Sequence, residues 1–207
     1  MLKAGFREKC EGIHIRIGLL FSRFGIAPNT WTVLSLIPAA LGFVFLYYKM
    51  LFGGLVLFVI SGFIDIVDGN VARVTKSVSN RGAFLDGIVD RYVEFALYLG
   101  LWFYIEPLPQ VLISNSLWIL LLLFGALMPS FITAYADHKN VIQDPERLKN
   151  LGGFLERFER LSLLYLGMLL GLINPVWLVY VVILTVFFAH LTAVGRIYAV
   201  VRASKAF

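Results

Sequence analysis

Long apolar runs separated by short polar breaks fill most of the chain. They cover residues 31–48, 51–68, 82–105, 117–136, 161–173 and 176–198, and several approach the ~20 residues that a spanning helix needs. Pro38 falls inside the first run. The stretch GIAPNTWT, residues 25–32, punctuates the chain before that run with Gly, Pro and the possible caps Asn29 and Thr30. An Asn174-Pro175 turn separates the last two runs. Residues 2–24 mix basic and apolar positions at roughly helical spacing, which predicts an amphipathic helix lying in a membrane interface. The expected fold class is all-α integral membrane, with six transmembrane helices plus that N-terminal interfacial helix. Residues 1–24 form the interfacial segment and 25–207 one six-span domain; no internal repeat or low-complexity segment is visible.

Composition supports this reading. Of 207 residues, 59% are hydrophobic and 15% charged, against about 25% charged in a soluble domain. Cys10 is the single cysteine, so no disulfide forms within one chain. Basic residues are scattered over the first 23 positions with no short apolar core directly after them, and no cleavable signal peptide is expected. The net charge of +5 fits basic loops facing anionic lipid. No nucleic-acid motif accompanies it, so no nucleic-acid partner is expected.

Lys and Arg also give the orientation. Lys3, Arg7, Lys9, Arg16 and Arg23 precede the first run, and Arg73, Lys76 and Arg81 follow the second. Lys139, Arg147, Lys149, Arg157 and Arg160 follow the fourth, and Arg202 and Lys205 the sixth; the other side holds Lys49 alone. A multi-pass cell-membrane protein with both termini in the cytoplasm is expected.

Four carboxylates interrupt this apolar pattern. Asp65 and Asp68 end the second run, and Asp86 and Asp90 open the third, all near the cytoplasmic surface. Ionised groups at such depths are costly. Spacings of three and four residues put each pair on one helix face, roughly 6 to 12 Å below the start of the third span for Asp86 and Asp90. Four uncompensated anions in one partly desolvated pocket repel one another. Hard divalent cations relieve that, and Mg²⁺ takes oxygen ligands together with substrate phosphates. Two such ions can clamp a displacement at phosphorus. Gly69 and Gly82 allow a phosphate or nucleotide close to the backbone, and Arg73 can pair with a diphosphate.

These residues resemble the signature of the CDP-alcohol phosphotransferases: Asp65, Asp68, Gly69, Ala72, Arg73, then Gly82, Asp86 and Asp90, without a mismatch. The Pro28-Asn29-x-x-Thr32 entry to the first span is similar to the family's as well. The resemblance covers nearly the whole chain. It implies transfer of a phosphatidyl-type group from a CDP-activated lipid, CDP-diacylglycerol or CDP-archaeol, to an alcohol, with release of CMP. It also implies that Asp65, Asp68, Asp86 and Asp90 hold Mg²⁺ or Mn²⁺, two per active site, and that Asp90 acts as general base. Gly69, Ala72, Arg73 and Gly82 would line the site for cytidine and diphosphate, and a homodimer is expected.

For the acceptor, the chain is most similar to the phosphatidylinositol-phosphate and archaetidylinositol-phosphate synthase branch. Arg157 and Arg160 in Glu156-Arg157-Phe158-Glu159-Arg160, and Arg196 near the end of the sixth span, resemble residues that grip the acceptor's phosphate. Asp90-Arg91 also suits that branch. The branch's Lys and Arg on the fourth span are replaced here by Thr133 and Tyr135, with His138 and Lys139 as substitutes one turn later. A soluble phosphorylated polyol is the expected acceptor, inositol 1-phosphate ahead of glycerol 3-phosphate. A small cation transporter is the rival from another class. It would require ionisable residues at mid-membrane depth, where only Glu94 and His190 stand.

Overall fold

A computed structural model describes residues 2–142 and 151–204, with side chains from residue 12 to 142 and from 151 to 203. Arg147, Lys149 and Lys205, and the side chains of Lys3, Arg7, Lys9 and Cys10, lie outside the described residues. The described chain is helical: α1 Leu2–Ser22, α2 Pro28–Leu34, α3 Leu36–Tyr47, α4 Leu51–Val74, α5 Asn80–Ile105, α6 Asn115–His138, α7 Arg157–Gly171 and α8 Pro175–Ser204. An isolated bridge between Val111 and Ile113 is the one β feature among the described residues. Residues up to Gly100 form one compact unit and those from Leu101 a second.

Among the described residues, four stretches are long and apolar enough to cross a membrane: Pro28–Tyr47, Leu51–Val74, Asn115–His138 and Pro175–Ala203. The other two expected spans, the third and the fifth, correspond to α5 and α7. The 26 residues of α5 carry Asp86, Asp90, Arg91 and Glu94 before their last three turns, and α7 has 15 residues.

The first unit is organised on α4. Leu51, Leu55, Phe58, Ser61, Val67, Asp68 and Val71 recur near the helical repeat and are buried, and α1, α2 and α3 all pack on this helix. Gly42 of α3 sits on the Phe58 ring, where an added Cβ would come within 2.9 Å. The run read as one span is broken at Ser35. Pro38 lacks the N–H that would return to Leu34, and its ring crowds that carbonyl. The Ser35 carbonyl is then capped from α4 by the Ser61 hydroxyl at 2.8 Å. The positive φ of Gly25 turns the chain between α1 and α2, and Phe21 packs edge-on against both Trp31 and Phe63.

Helix α4 does not stop at Asp68 but continues to Val74. It ends where Lys76 takes φ 53°, with Ser77 N–H donating to the Ala72 carbonyl at 2.9 Å. Asp65 and Asp68 therefore sit inside a regular helix. Ser79 then starts α5, its hydroxyl accepting from Gly82 N–H at 3.1 Å.

In the second unit α8 packs along α6 and α7. Asn115 anchors the start of α6, its side-chain amide donating to the carbonyls of Ile105 and Leu108 at 2.7 and 3.0 Å. The carbonyl of Pro129, inside α6, accepts from two side-chain donors, Thr133 at 3.0 Å and Arg196 at 2.9 Å.

Candidate active site

Asp65 and Asp68 project from one face of α4, and Asp86 joins them from the second turn of α5. One carboxylate oxygen from each lies within 4.8 Å of the other two. Asp68 is buried at 6% exposure, while Asp65 and Asp86 are half-buried. The Thr32 side chain hydrogen-bonds Asp68, yet Asp68 Oδ2 is buried with no hydrogen-bond partner. A buried carboxylate oxygen without a donor is expensive. Three convergent carboxylates with such an oxygen among them form a donor set suited to a hard divalent cation. Asp90 stands apart from this triplet. It lies one turn further along α5, with 9% exposure.

Two of the three, Asp68 and Asp86, line a cavity of about 280 Å³. Helix α2 contributes Pro28, Asn29 and Thr32, α4 contributes Asp68, Gly69, Ala72 and Arg73, and the start of α5 contributes Gly82, Ala83 and Asp86. All four residues expected to line a nucleotide site are on this wall. At Gly69 an added Cβ would meet only the tip of Arg73, at 3.6 Å, so the protein itself leaves that space open. At Gly82 it would come 3.1 Å from Asn29 and 3.2 Å from Ser79, so glycine lets α2 close over the start of α5. The N-terminus of α5 faces the same cavity and favours negative charge there. Arg73 is held on its own helix, Nε donating to Gly69 O and Nη2 to Asn70 Oδ1, both at 3.0 Å.

Sequence reasoning missed three participants here. Thr32 was legible only as part of the entry to the first span. Ser79 carried an ordinary cap signal and no functional one. Asn70 gave one hint, a polar residue beside Gly69, and is 1% exposed.

The second unit holds the residues expected to bind the acceptor's phosphate. Arg196 is engaged on both η nitrogens. Nη2 donates to the two Glu156 carboxylate oxygens at 2.7 and 2.6 Å, and Nη1 to Pro129 O and Thr133 Oγ1, both at 2.9 Å. Only Nε is left, buried and without a hydrogen-bond acceptor. Thr133, at one position where the sequence departs from its branch, thus serves the expected arginine. Arg160 is buried at 2% exposure and Arg157 half-buried, both in the first turn of α7. Lys139 caps α6 and lies over the Tyr135 ring at 5.6 Å, the other departing position.

The two ionisable groups that a transport pathway would need are tied down. Glu94 accepts from Arg91 at 3.0 Å and from the Tyr98 hydroxyl at 3.4 Å. His190 Nε2 is 3.1 Å from the Leu121 carbonyl and its ring stacks on Phe124.

Comparison with known proteins agrees with this geometry. A family model for CDP-alcohol phosphatidyltransferase matches residues 25–191. A bifunctional IPC transferase and DIPP synthase of Aquifex aeolicus is 30% identical over 161 residues, 75% of this chain and 36% of that protein. Archaetidylinositol phosphate synthase of Pyrococcus horikoshii is 33% identical over 42% of this chain and 46% of its own length. The matches thus span less than half of either relative. Among solved structures, Mycobacterium tuberculosis phosphatidylinositol phosphate synthase with CDP-DAG bound superposes with a TM-score of 0.77 at 25% identity, covering 91% of this chain and 93% of that one. The same enzyme in complex with manganese and citrate gives a TM-score of 0.77 at 26% identity, over 90% and 88%. With a signature complete in sequence, six of its eight residues lining one cavity and the family model matching most of its length, the chain belongs to the CDP-alcohol phosphatidyltransferase family.

Proposed function

We propose that this protein transfers the phosphatidyl-type group of a CDP-activated lipid to a phosphorylated polyol, releasing CMP, at the inner face of a membrane. The observation that carries the proposal is the convergence of Asp65, Asp68 and Asp86, two of which, Asp68 and Asp86, line a cavity together with Gly69, Arg73 and Gly82. Mg²⁺ or Mn²⁺ bound there, two ions per site, would neutralise the diphosphate and make the phosphorus more electrophilic. Asp65, Asp68 and Asp86 would hold the cation, with Asp90 adding a carboxylate from one turn further along α5. Gly69 leaves room for the diphosphate, the α5 N-terminus attracts it, and Arg73 pairs with it. Asp90 would take the proton from the acceptor's hydroxyl, and its burial limits competition from water. CMP leaves as the acceptor oxygen bonds to phosphorus.

In this reading α5 and α7 join the four long apolar stretches to give six spans. Helix α1 lies in the interface ahead of the family domain, with Ile13, Ile15, Leu19 and Leu20 exposed for lipid. Both termini and the cavity face the cytoplasm, and the working form is a homodimer.

For the acceptor we favour inositol 1-phosphate. Relatives that carry inositol-phosphate synthase names support it, as do Arg157 and Arg160, which follow in the chain the Glu156 that holds Arg196. Lys139, on its exposed cap, would add a further positive charge. Phosphate binding at Arg196 requires Glu156 to swing away, and this carboxylate is 44% exposed and able to do so. The test is mass spectrometry of the lipid product after incubating purified protein with CDP-diacylglycerol and each acceptor separately. Phosphatidylinositol phosphate is the expected product; phosphatidylglycerophosphate alone would reassign the acceptor to glycerol 3-phosphate.

A further inference from the structure

Arg73 is not positioned by α4 alone. The Asn70 carbonyl oxygen that receives its Nη2 belongs to a side chain whose other end is also used. Asn70 Nδ2 lies 3.2 Å from Nδ1 of His14, 56 residues earlier in the chain. An amide nitrogen only donates, so His14 Nδ1 is the acceptor and a neutral ring carries its proton on Nε2. The buried Asn70 therefore connects α1 to the guanidinium. Helix α1 lies close enough to hold this geometry. An added Cβ on Gly18 would stand 2.6 Å from the Asn70 backbone oxygen and 2.7 Å from Val74 Cγ2. Glycine at that position brings His14, one turn earlier, within reach of Asn70.

The need for such a hold is visible on the other side of Arg73. A second cavity, about 250 Å³, is lined by His14, Ile15, Asn70, Arg73 and Val74. Arg73 borders both cavities, so a guanidinium released by Asn70 has space to leave this position. A long flexible side chain with two available rotamer wells loses affinity by the fraction of time spent in the wrong one.

We propose that His14 is a positioning residue: through Asn70 it fixes the Arg73 guanidinium where it borders the aspartate cavity, so that docking of α1 on α4 sets the affinity for the diphosphate of the CDP-lipid. This rests on the reading of the aspartate cavity as the CDP-lipid site. It gives the N-terminal helix a role in substrate binding beyond attachment to the membrane surface, and it couples α1 docking to the site.

The experiment uses the full-length protein in detergent with CDP-diacylglycerol, and compares His14→Ala, His14→Asn, Gly18→Ala and Arg73→Gln. Asparagine offers an amide oxygen close to where Nδ1 stands, so it keeps the acceptor for Asn70. His14→Ala is expected to raise the CDP-lipid KM on the order of tenfold, the effect of losing one hold on a charged donor, with the acceptor KM unchanged. His14→Asn should return the CDP-lipid KM to within about twofold of the wild type, and Gly18→Ala should act as His14→Ala does. An unchanged CDP-lipid KM in His14→Ala, with Arg73→Gln impaired, would overturn the proposal while leaving the cavity's assignment intact. Equal impairment of His14→Ala and His14→Asn would overturn it as well, because the histidine would then serve packing alone. An Arg73→Gln variant with unchanged CDP-lipid KM would overturn the cavity's assignment and this inference with it.

Discussion

Gly69→Ala separates the two reasons a glycine can stand beside Asp68. In the folded protein the new methyl would meet only Arg73 Nη2, at 3.6 Å, an ordinary contact with the end of a flexible side chain. Inside a regular helix, alanine is better than glycine by about 0.5–1 kcal/mol. The apo protein should therefore keep its thermal midpoint or gain roughly 2 °C. The same methyl projects into the cavity where the diphosphate is expected. Inserting one methylene into a close-packed contact costs about 1–3 kcal/mol, which is roughly five- to 150-fold in affinity. The assay pairs thermal unfolding in detergent with CMP release over a range of CDP-diacylglycerol concentrations. A stable variant with a CDP-lipid KM raised at least fivefold is expected. A lowered midpoint would show that Gly69 serves packing, and an unchanged KM in a stable variant would show that no ligand passes there.

Other consequences concern charge. Asp68→Asn removes a carboxylate from a repelling triplet, so the metal-free variant should be at least as stable as the wild type; Mn²⁺ should raise the unfolding midpoint of the wild type and not of the variant. Asp90→Asn should abolish turnover while leaving CDP-lipid binding, read by calorimetry, within about threefold, since a lost general base costs roughly 10²–10⁴ in rate and little in binding. Arg196→Gln should raise the acceptor KM and leave that of the CDP-lipid unchanged, whereas Glu156→Gln, by freeing Arg196, should lower the acceptor KM about fivefold; opposite signs in the two variants are the feature to check.

Much of this architecture was legible because the apolar runs are long and the signature is local. Asp65, Asp68, Gly69, Ala72 and Arg73 lie within three turns of one helix, and Gly82 and Asp86 within two turns of the next, so helical spacing alone placed them together. Helix ends were less legible. α3, α4 and α6 each end on a residue with positive φ that is not glycine, namely Lys49, Lys76 and Asn140. The strongest stop signal for a helix was therefore missing from the sequence, and α4 was expected to stop at Asp68, six residues before its end at Val74.

Contacts across the chain were not legible at all. The Ser61 hydroxyl on the Ser35 carbonyl, the Asn70 amide on His14 and the Glu156 carboxylate on Arg196 each join distant residues. No periodicity encodes such pairs. The last of them changes the meaning of a sequence-level expectation. Arg196 looked like a ready phosphate ligand, and the structure shows a guanidinium already satisfied on four sides.

The most direct test of the central claim is metal-dependent CMP release. Purified protein in detergent would receive inositol 1-phosphate with CDP-diacylglycerol or CDP-archaeol, with Mg²⁺ or Mn²⁺, and then EDTA. CMP release is expected with at least one donor, abolished by EDTA and absent in Asp68→Asn. Release that persists in EDTA or in Asp68→Asn would contradict the assignment of the aspartate triplet. Absence of both CMP release and CDP-lipid binding with either donor would contradict the assignment of the cavity.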